Sequence, residues 1–391
     1  MTSYLPPKEP KVEPNNGWLI PVCGVFLSQK EVQYIQEALG KTQISGGGGE
    51  FIDKFEKLFA KKTGAAFAVS CNSGTSALHL AFRLIELHAG DEVIVPNFTM
   101  VSTVTPLIEL GCKPVFIDSD PQGNIDIMEI ESKITEKTKA IVATHIYGNP
   151  VDVSAIEGIA LKHHLKVVYD AAEAHGAMIN KRKLGEFGDV VCYSFYANKI
   201  ITTGEGGMVT MNKSAYMEKA KKLKDEHFSD VRHFWHEDYG YSYRMSNLLA
   251  AIGLGQTERW DELTTLKKII YGTYKEMLEG VIGISFLPDK TGSESARWVV
   301  GILIDKEKFG MNKDDLREFL ARKGIETRNF FIPMHMQICM QKFLSKSKPS
   351  PEDFEDSEKL VETGMYLPCA SSLSLQAIGY IVDRIKEATR K

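Results

Sequence analysis

The 391-residue chain has no CxxC pair, no P-loop, no long apolar run and no excess of positive charge. Each absence excludes a class of protein. The six cysteines (Cys23, Cys71, Cys112, Cys192, Cys339 and Cys369) are scattered, so neither a disulfide scaffold nor a zinc ribbon is expected. Four of them sit in or beside apolar runs, which predicts buried free thiols in a reducing compartment, hence a cytoplasmic protein. Cys339, between Ile338 and Met340, is expected to be buried too. Without a membrane-length apolar stretch, no transmembrane helix is expected. A net charge of −4 disfavours nucleic acid and acidic membranes as partners. His227, His233 and His236 lack a supporting ligand pattern, so no metal is expected. The opening residues are polar and proline-rich, without the apolar segment of a signal peptide. A flexible tail is expected over residues 1–18.

What is present is ordinary globular chemistry, at a length that suits two domains. Apolar runs with strand character occur at 66–70, 92–96, 114–117, 139–144, 165–169, 190–195 and 207–211. Helical periodicity precedes the first at 51–62 and lies between most of them, as in 100–110 and 153–164. Such alternation predicts an α/β fold with a seven-stranded, mostly parallel sheet covered on both faces. The segment 227–243 is aromatic-rich but aperiodic and reads as a loop. Helix returns at 244–260. A long helix from Asp261 then leads into a smaller α+β domain, with strand-like runs at 298–304 and 325–329 and helices at 313–322 and 375–388. The expected division is a tail at 1–18, a large domain at 19–260 and a small one at 261–391.

In parallel sheets ligands collect at the carboxyl ends of the strands, and four constellations fall there. Asn72-Ser73-Gly74-Thr75 joins a strand to a helix. Free amides at a helix start, with the Ser73 and Thr75 hydroxyls, make an anion cradle; an ordinary helix cap is the alternative. Asp170 ends an apolar strand, and a buried carboxylate needs a partner, either an arginine, a backbone cap or a protonated ring nitrogen. Glu173 lies three residues on and reaches the same ligand. Lys199 follows the strand 190–195 and Ser194, and precedes the glycine-rich Gly204-Glu205-Gly206-Gly207. A partly desolvated lysine acts as an amine nucleophile toward an aldehyde. The glycines are expected to let backbone pack closely beside it. Arg244 opens a helix and either holds a carboxylate or phosphate or faces solvent. An anion cradle, a buried Asp and a recessed Lys together describe pyridoxal 5'-phosphate (PLP), with phosphate, pyridinium and aldehyde.

The strings SGTSAL, VPNFT, YDAAEAHGA, SFYANKIITTGEGGMV and YSYRMSNLLAAIGLGQ resemble the sugar aminotransferases of the DegT/DnrJ/EryC1/StrS family. The resemblance runs from about Ile20 to the C-terminus. It implies a PLP enzyme of fold type I, aspartate-aminotransferase-like, working as a homodimer with shared active sites. The reaction implied moves an amino group from L-glutamate to a keto group of a nucleotide-linked sugar. By motif, Lys199 is the Schiff-base lysine, Asp170 pairs with the ring nitrogen, Glu173 faces the phenolic oxygen, and Gly74, Thr75 and Ser194 hold phosphate. Met100 stands where an aromatic often stacks on the ring. Ser242 stands where the partner subunit often gives an asparagine to the phosphate.

Within the family, NKIITTGEGGMV, RMSNLLAAIGLGQ and the segment 328–335 are most similar to members that turn GDP-4-keto-6-deoxymannose into GDP-perosamine, a step of polysaccharide biosynthesis. Phe330 and His335 then become substrate contacts, with a loop histidine packed on Pro333 as the alternative for His335. UDP- or dTDP-linked 4-keto-6-deoxy sugars are the alternative substrates. A non-transaminating PLP enzyme and a non-catalytic PLP-fold binding protein are the remoter readings.

Overall fold

The computed structural model describes residues 19–232, 234–344 and 351–389. The expected tail and His233 lie outside the described residues. All seven expected strands form: β1 Phe67–Cys71, β2 Glu92–Pro96, β3 Lys113–Ile117, β4 Thr138–Thr144, β5 Lys166–Asp170, β6 Val190–Ser194 and β7 Gly207–Met211. Their order across the sheet is β1-β7-β6-β5-β4-β2-β3. Every residue of β2, β6 and β7 is buried, as the continuous apolar runs require of strands covered on both faces.

Six of the seven strands share one direction, and β7 alone is reversed, antiparallel to both its neighbours β1 and β6. Its first residue therefore sits at the carboxyl ends of the strands beside it: Gly207 faces Cys71 on one side and Ser194 on the other. Further along the same edge, Asp170 of β5 pairs with Cys192 of β6 and with Thr144 of β4.

Helices cover the sheet. α1 (Gln29–Gly40) and α2 (Glu50–Thr63) pack on α4 (Asn247–Glu258), and α3 (Gly74–Leu84) packs on β6 and β7. Phe51, Phe55 and Phe59 give α2 a fully buried aromatic face, each ring contributing roughly 1.5–3 kcal/mol. Phe59 meets Tyr193, Phe195 and Trp260 edge-on, which ties α2 to β6 and to α5 (Trp260–Met277). The expected helix over 100–110 is shorter, a 3-10 turn at Val101–Thr103 followed by Thr105–Glu109. α1 was not expected from apolar spacing, but Ser28 and Glu31 form a full capping box at its start.

α5 leads to a second, antiparallel sheet of β8 (Ile284–Phe286), β9 (Val300–Ile304), β10 (Arg328–Asn329) and β11 (Gly364–Leu367), in the order β8-β9-β11-β10. α6 (Lys313–Arg322) and α7 (Leu375–Ala388) fall where the periodicity predicts them. The first described residues also lie beside this sheet. Ile20 bridges to Ile325, and Cys369 donates its N–H to the Val22 carbonyl at 2.9 Å. Cys71, Cys112, Cys192 and Cys369 are buried as expected, and all six cysteines are free. Cys339 is exposed instead of buried: Met340 turns inward at 1% exposure while Ile338 turns outward at 68%.

Candidate active site

The carboxyl edge of the large sheet gathers the residues singled out above, because each follows or ends a strand. Ser73, just beyond β1, is the N-cap of α3, and its hydroxyl oxygen accepts the Ser76 N–H at 3.0 Å. The cap alternative therefore applies to Ser73 itself. Gly74 and Thr75 start the helix and leave their amides at its positive end. A Cβ on Gly74 would come within 2.9 Å of the Ser194 Cβ, so only glycine lets the β1 turn approach the end of β6. Gly207 packs from the third side. A Cβ there would lie 2.2 Å from the Ser73 carbonyl oxygen. The glycine-rich segment after Lys199 thus closes on the cradle's own backbone.

That contact carries a prediction. Gly207→Ala is expected to lose about 1–3 kcal/mol of stability, because backbone must shift to admit the methyl group. It should also weaken PLP binding. Denaturant melts and PLP fluorescence titration measure the two. A variant as stable as the wild type would mean the Ser73 turn moves freely.

Asp170 is buried at the end of β5. One carboxylate oxygen accepts the Ala172 N–H at 3.0 Å and the other accepts the Thr103 hydroxyl at 2.8 Å. Burial raises its pKa; those two donors and the Lys199 charge act in the opposite direction. Glu173 is buried as well. Its Oε2 accepts the Tyr147 N–H at 2.7 Å. Tyr147 is in the left-handed region at φ 53°, a backbone conformation that costs a non-glycine residue about 1–3 kcal/mol and aims this N–H. Burial pushes Glu173 up, against the pull of Lys199.

Lys199 closes the group. Its side chain is only 10% exposed, and Nζ lies 3.6 Å from Glu173 Oε1, a charge contact too long for a hydrogen bond. On the other side Nζ sits 3.7 Å from the centre of the Trp298 ring. Trp298 is fixed in turn by its indole N–H, which donates to the Asn198 carbonyl at 2.8 Å. Burial lowers the lysine's pKa, while Glu173 and Asp170 oppose the shift. The outcome is an amine held in a dry slot between a carboxylate and an indole, nearer to neutrality than a surface lysine.

Thr103, Tyr147 and Trp298 were missed in the sequence. Thr103 is 67 positions from Asp170, and nothing in its local string marks the contact. Trp298 comes from the segment leading into β9. A buried tryptophan needing a partner for its N–H is the one general signal it offered.

Other expected contacts are placed differently. Phe330 is a correction: it is 2% exposed, wedged against Gly301 and Gly364, and belongs to the core with Phe98 and Tyr147. A ring so enclosed has no face for a substrate. His335 is held on three sides. Its Nδ1 is 2.8 Å from the Asn97 amide, its Nε2 is 3.0 Å from Glu358, and its ring stacks on Phe354. The packed-loop alternative fits it, with Phe354 in the place expected for Pro333. Arg244 donates to Asp225 and Glu226 at 2.5 and 2.8 Å and to the Ser242 hydroxyl at 2.7 Å. Neither Arg244 nor Ser242 joins the lysine's shell within one chain. Met100 is 49% exposed. The described residues of 227–243 form a loop as expected, with His236 Nδ1 2.7 Å from the Glu226 carbonyl.

PLP requires an anion cradle, a carboxylate for its ring nitrogen and an amine for its aldehyde. The residues fit it. The cradle is one that a Cβ at Gly74 would fill, and Asp170 and Lys199 lie on the same sheet edge. The chain matches the model of the DegT/DnrJ/EryC1/StrS aminotransferase family over residues 26–386. It is 37% identical to the GDP-perosamine synthase of Escherichia coli O157:H7, over 94% of this chain and 98% of that one. It is 30% identical to the dTDP-4-amino-4,6-dideoxy-D-glucose transaminase of Shigella dysenteriae, over 93% and 98%. Among solved structures it resembles Helicobacter pylori PseC, an aminotransferase involved in the biosynthesis of pseudoaminic acid. The TM-score is 0.89 at 26% identity, covering 95% of this chain and 99% of that one. With its fold, its lysine slot and its near full-length match, the chain belongs to the DegT/DnrJ/EryC1/StrS aminotransferase family and is a PLP-dependent aminotransferase.

Proposed function

We propose that the enzyme moves an amino group from L-glutamate to the C4 keto group of GDP-4-keto-6-deoxymannose, giving GDP-perosamine. The observation that carries this reading is the near full-length similarity to an Escherichia coli enzyme named for that product. When bound, PLP supplies an aldehyde that exchanges amino groups and a ring that withdraws electrons. The chain's residues do the rest. Lys199 is the nucleophile and then the acid and base that takes a proton from, or returns it to, the substrate carbon that bears the nitrogen, a role its lowered proton affinity supports. Asp170 holds a proton on the ring nitrogen. Glu173 compensates the lysine's charge and faces the phenolic oxygen. Gly74, Thr75 and Ser194 hold the phosphate, Ser73 caps the helix start that presents the first two, and Met100 covers a ring face.

The enzyme works as a homodimer in the cytoplasm, with Ser242 of a second copy completing the cradle. Tyr196, whose carbonyl accepts the Lys199 N–H, is 50% exposed, and Met100 is 49% exposed. Exposed apolar side chains of that kind, on the loops after β2 and β6, support a covering copy. Free cysteines throughout the chain support the reducing compartment. In this reading the large domain ends near residue 260, where α4 gives way to α5.

The test is incubation with glutamate and, in separate arms, GDP-, UDP- and dTDP-linked 4-keto-6-deoxy sugars, with products read by mass. The expected product carries an amine in place of the keto oxygen and forms fastest from the GDP sugar. Faster amination in the UDP or dTDP arm overturns the nucleotide; no product from glutamate in any arm overturns the donor.

A further inference from the structure

Asp170 is one end of a buried chain of hydroxyls. Thr103 Oγ1 lies 2.8 Å from Asp170 Oδ2, Thr99 Oγ1 lies 2.9 Å from Thr103 Oγ1, and Thr144 Oγ1 lies 3.0 Å from Thr99 Oγ1. All four residues are buried. They come from three places on the sheet edge: Thr99 and Thr103 from the turn after β2, Thr144 from the end of β4 and Asp170 from the end of β5. The register of β4 and β5 sets Thr144 directly beside Asp170.

Hydrogen-bond counting fixes the direction of the chain. An ionised carboxylate only accepts, so Thr103 must donate to it. A hydroxyl has one proton, so Thr99 must then donate to Thr103, and Thr144 to Thr99. Three dipoles end up aligned toward one negative charge, and bonds in such a series polarise one another. Protonating Asp170 removes the reason for that order. The chain is therefore matched to the ionised form.

We propose that Thr103 is a positioning residue for Asp170: its hydroxyl, backed by Thr99 and Thr144, keeps the carboxylate ionised and oriented toward the cofactor ring. This rests on the reading of Asp170 as the partner of the ring nitrogen. A buried carboxylate with too few donors becomes neutral. Asp170 has two donors, Thr103 and the Ala172 amide. The titratable groups that face it are Lys199 and Glu173 from the following loops and Cys192 on β6. Of these only Lys199 brings a favourable charge, and that charge is shared with Glu173. Burial alone drives Asp170 toward the neutral form, and the Thr103 hydroxyl opposes it. A valine of the same shape at position 103 keeps the packing and removes the donor.

The experiment compares Thr103→Val, Thr103→Ser and Thr99→Val with the wild type, alone and with Asp170→Asn. PLP affinity is read by fluorescence titration, and the visible absorbance of the holoenzyme is followed against pH. Thermal melts of the apo forms report on folding. Thr103→Val is expected to bind PLP about tenfold more weakly. Its acid-side absorbance transition should move to higher pH, because Asp170 is protonated earlier. Thr103→Ser restores both, and Thr99→Val gives a smaller change in the same direction. In the Asp170→Asn background the valine has no further effect on either readout. Unchanged affinity and transition in Thr103→Val, with only a lowered apo melt, overturn the proposal. If Thr103→Val does not fold, an unmoved transition in Thr99→Val overturns it equally. Failure of Asp170→Asn itself to alter the transition removes the role of Asp170, a separate result from the Thr103 comparison.

Discussion

Lys199→Ala should abolish turnover and leave the fold standing. The proposed mechanism passes every proton through Nζ, and removing a general acid–base alone lowers rates by as much as about 10⁴-fold. Losing the nucleophile at the same position adds to this, so the expected loss is at least about 10³-fold. The fold tolerates the change because Nζ carries no hydrogen-bond network. Its neighbours are the Glu173 carboxylate at 3.6 Å and the Trp298 ring at 3.7 Å. Glu173 loses its opposing charge, but its proton affinity is already raised by burial, and it responds by taking up a proton. Trp298 keeps its bond to Asn198. Circular dichroism and a thermal melt close to those of the wild type, with no product by mass, are the expected result. Steady-state amination by this variant would remove Lys199 from the chemistry.

Asp170→Asn should retain PLP and slow the reaction. The amide keeps the shape and still meets Thr103 and the Ala172 N–H, but it no longer places a negative charge at the ring. A hydrogen bond to a charged partner is stronger than a neutral one by roughly 1–2 kcal/mol, which corresponds to a rate loss of about tenfold or more. The half-reaction with glutamate, followed by absorbance in a stopped-flow experiment, measures this step apart from sugar binding. A rate equal to wild type would mean that the ring nitrogen is held by another group. The thermal melt is expected to stay within a few degrees or rise, since one buried charge is gone.

The two residues behind these predictions were legible because their signal is local. Asp170 and Lys199 each follow a short apolar run, and such a run places its successor at the edge of a parallel sheet. The strands themselves were legible for the same reason, within a residue or two. The shell around the lysine was not. Trp298 reaches Nζ from near β9, and Tyr147 aims its amide at Glu173 from a strained turn after β4. Arg244 illustrates the converse. Its string left open a carboxylate or phosphate contact against a solvent-facing arginine, and only the folded chain shows the Asp225 and Glu226 carboxylates beside it.

The order of residues along the chain was enough to specify alternating strands and helices, a recessed lysine and the cofactor that lysine implies. These follow from side-chain period and from what stands next to what within a few positions. Folding alone decided that β7 runs against its neighbours and brings Gly207 onto the Ser73 turn. It also aligned Thr144, Thr99 and Thr103 behind Asp170, and it enclosed Phe330 between Gly301 and Gly364. Apart from the Thr99–Thr103 pair within one turn, those contacts join residues far apart in the chain. Strand register and close packing set them, and neither is encoded in any single local stretch.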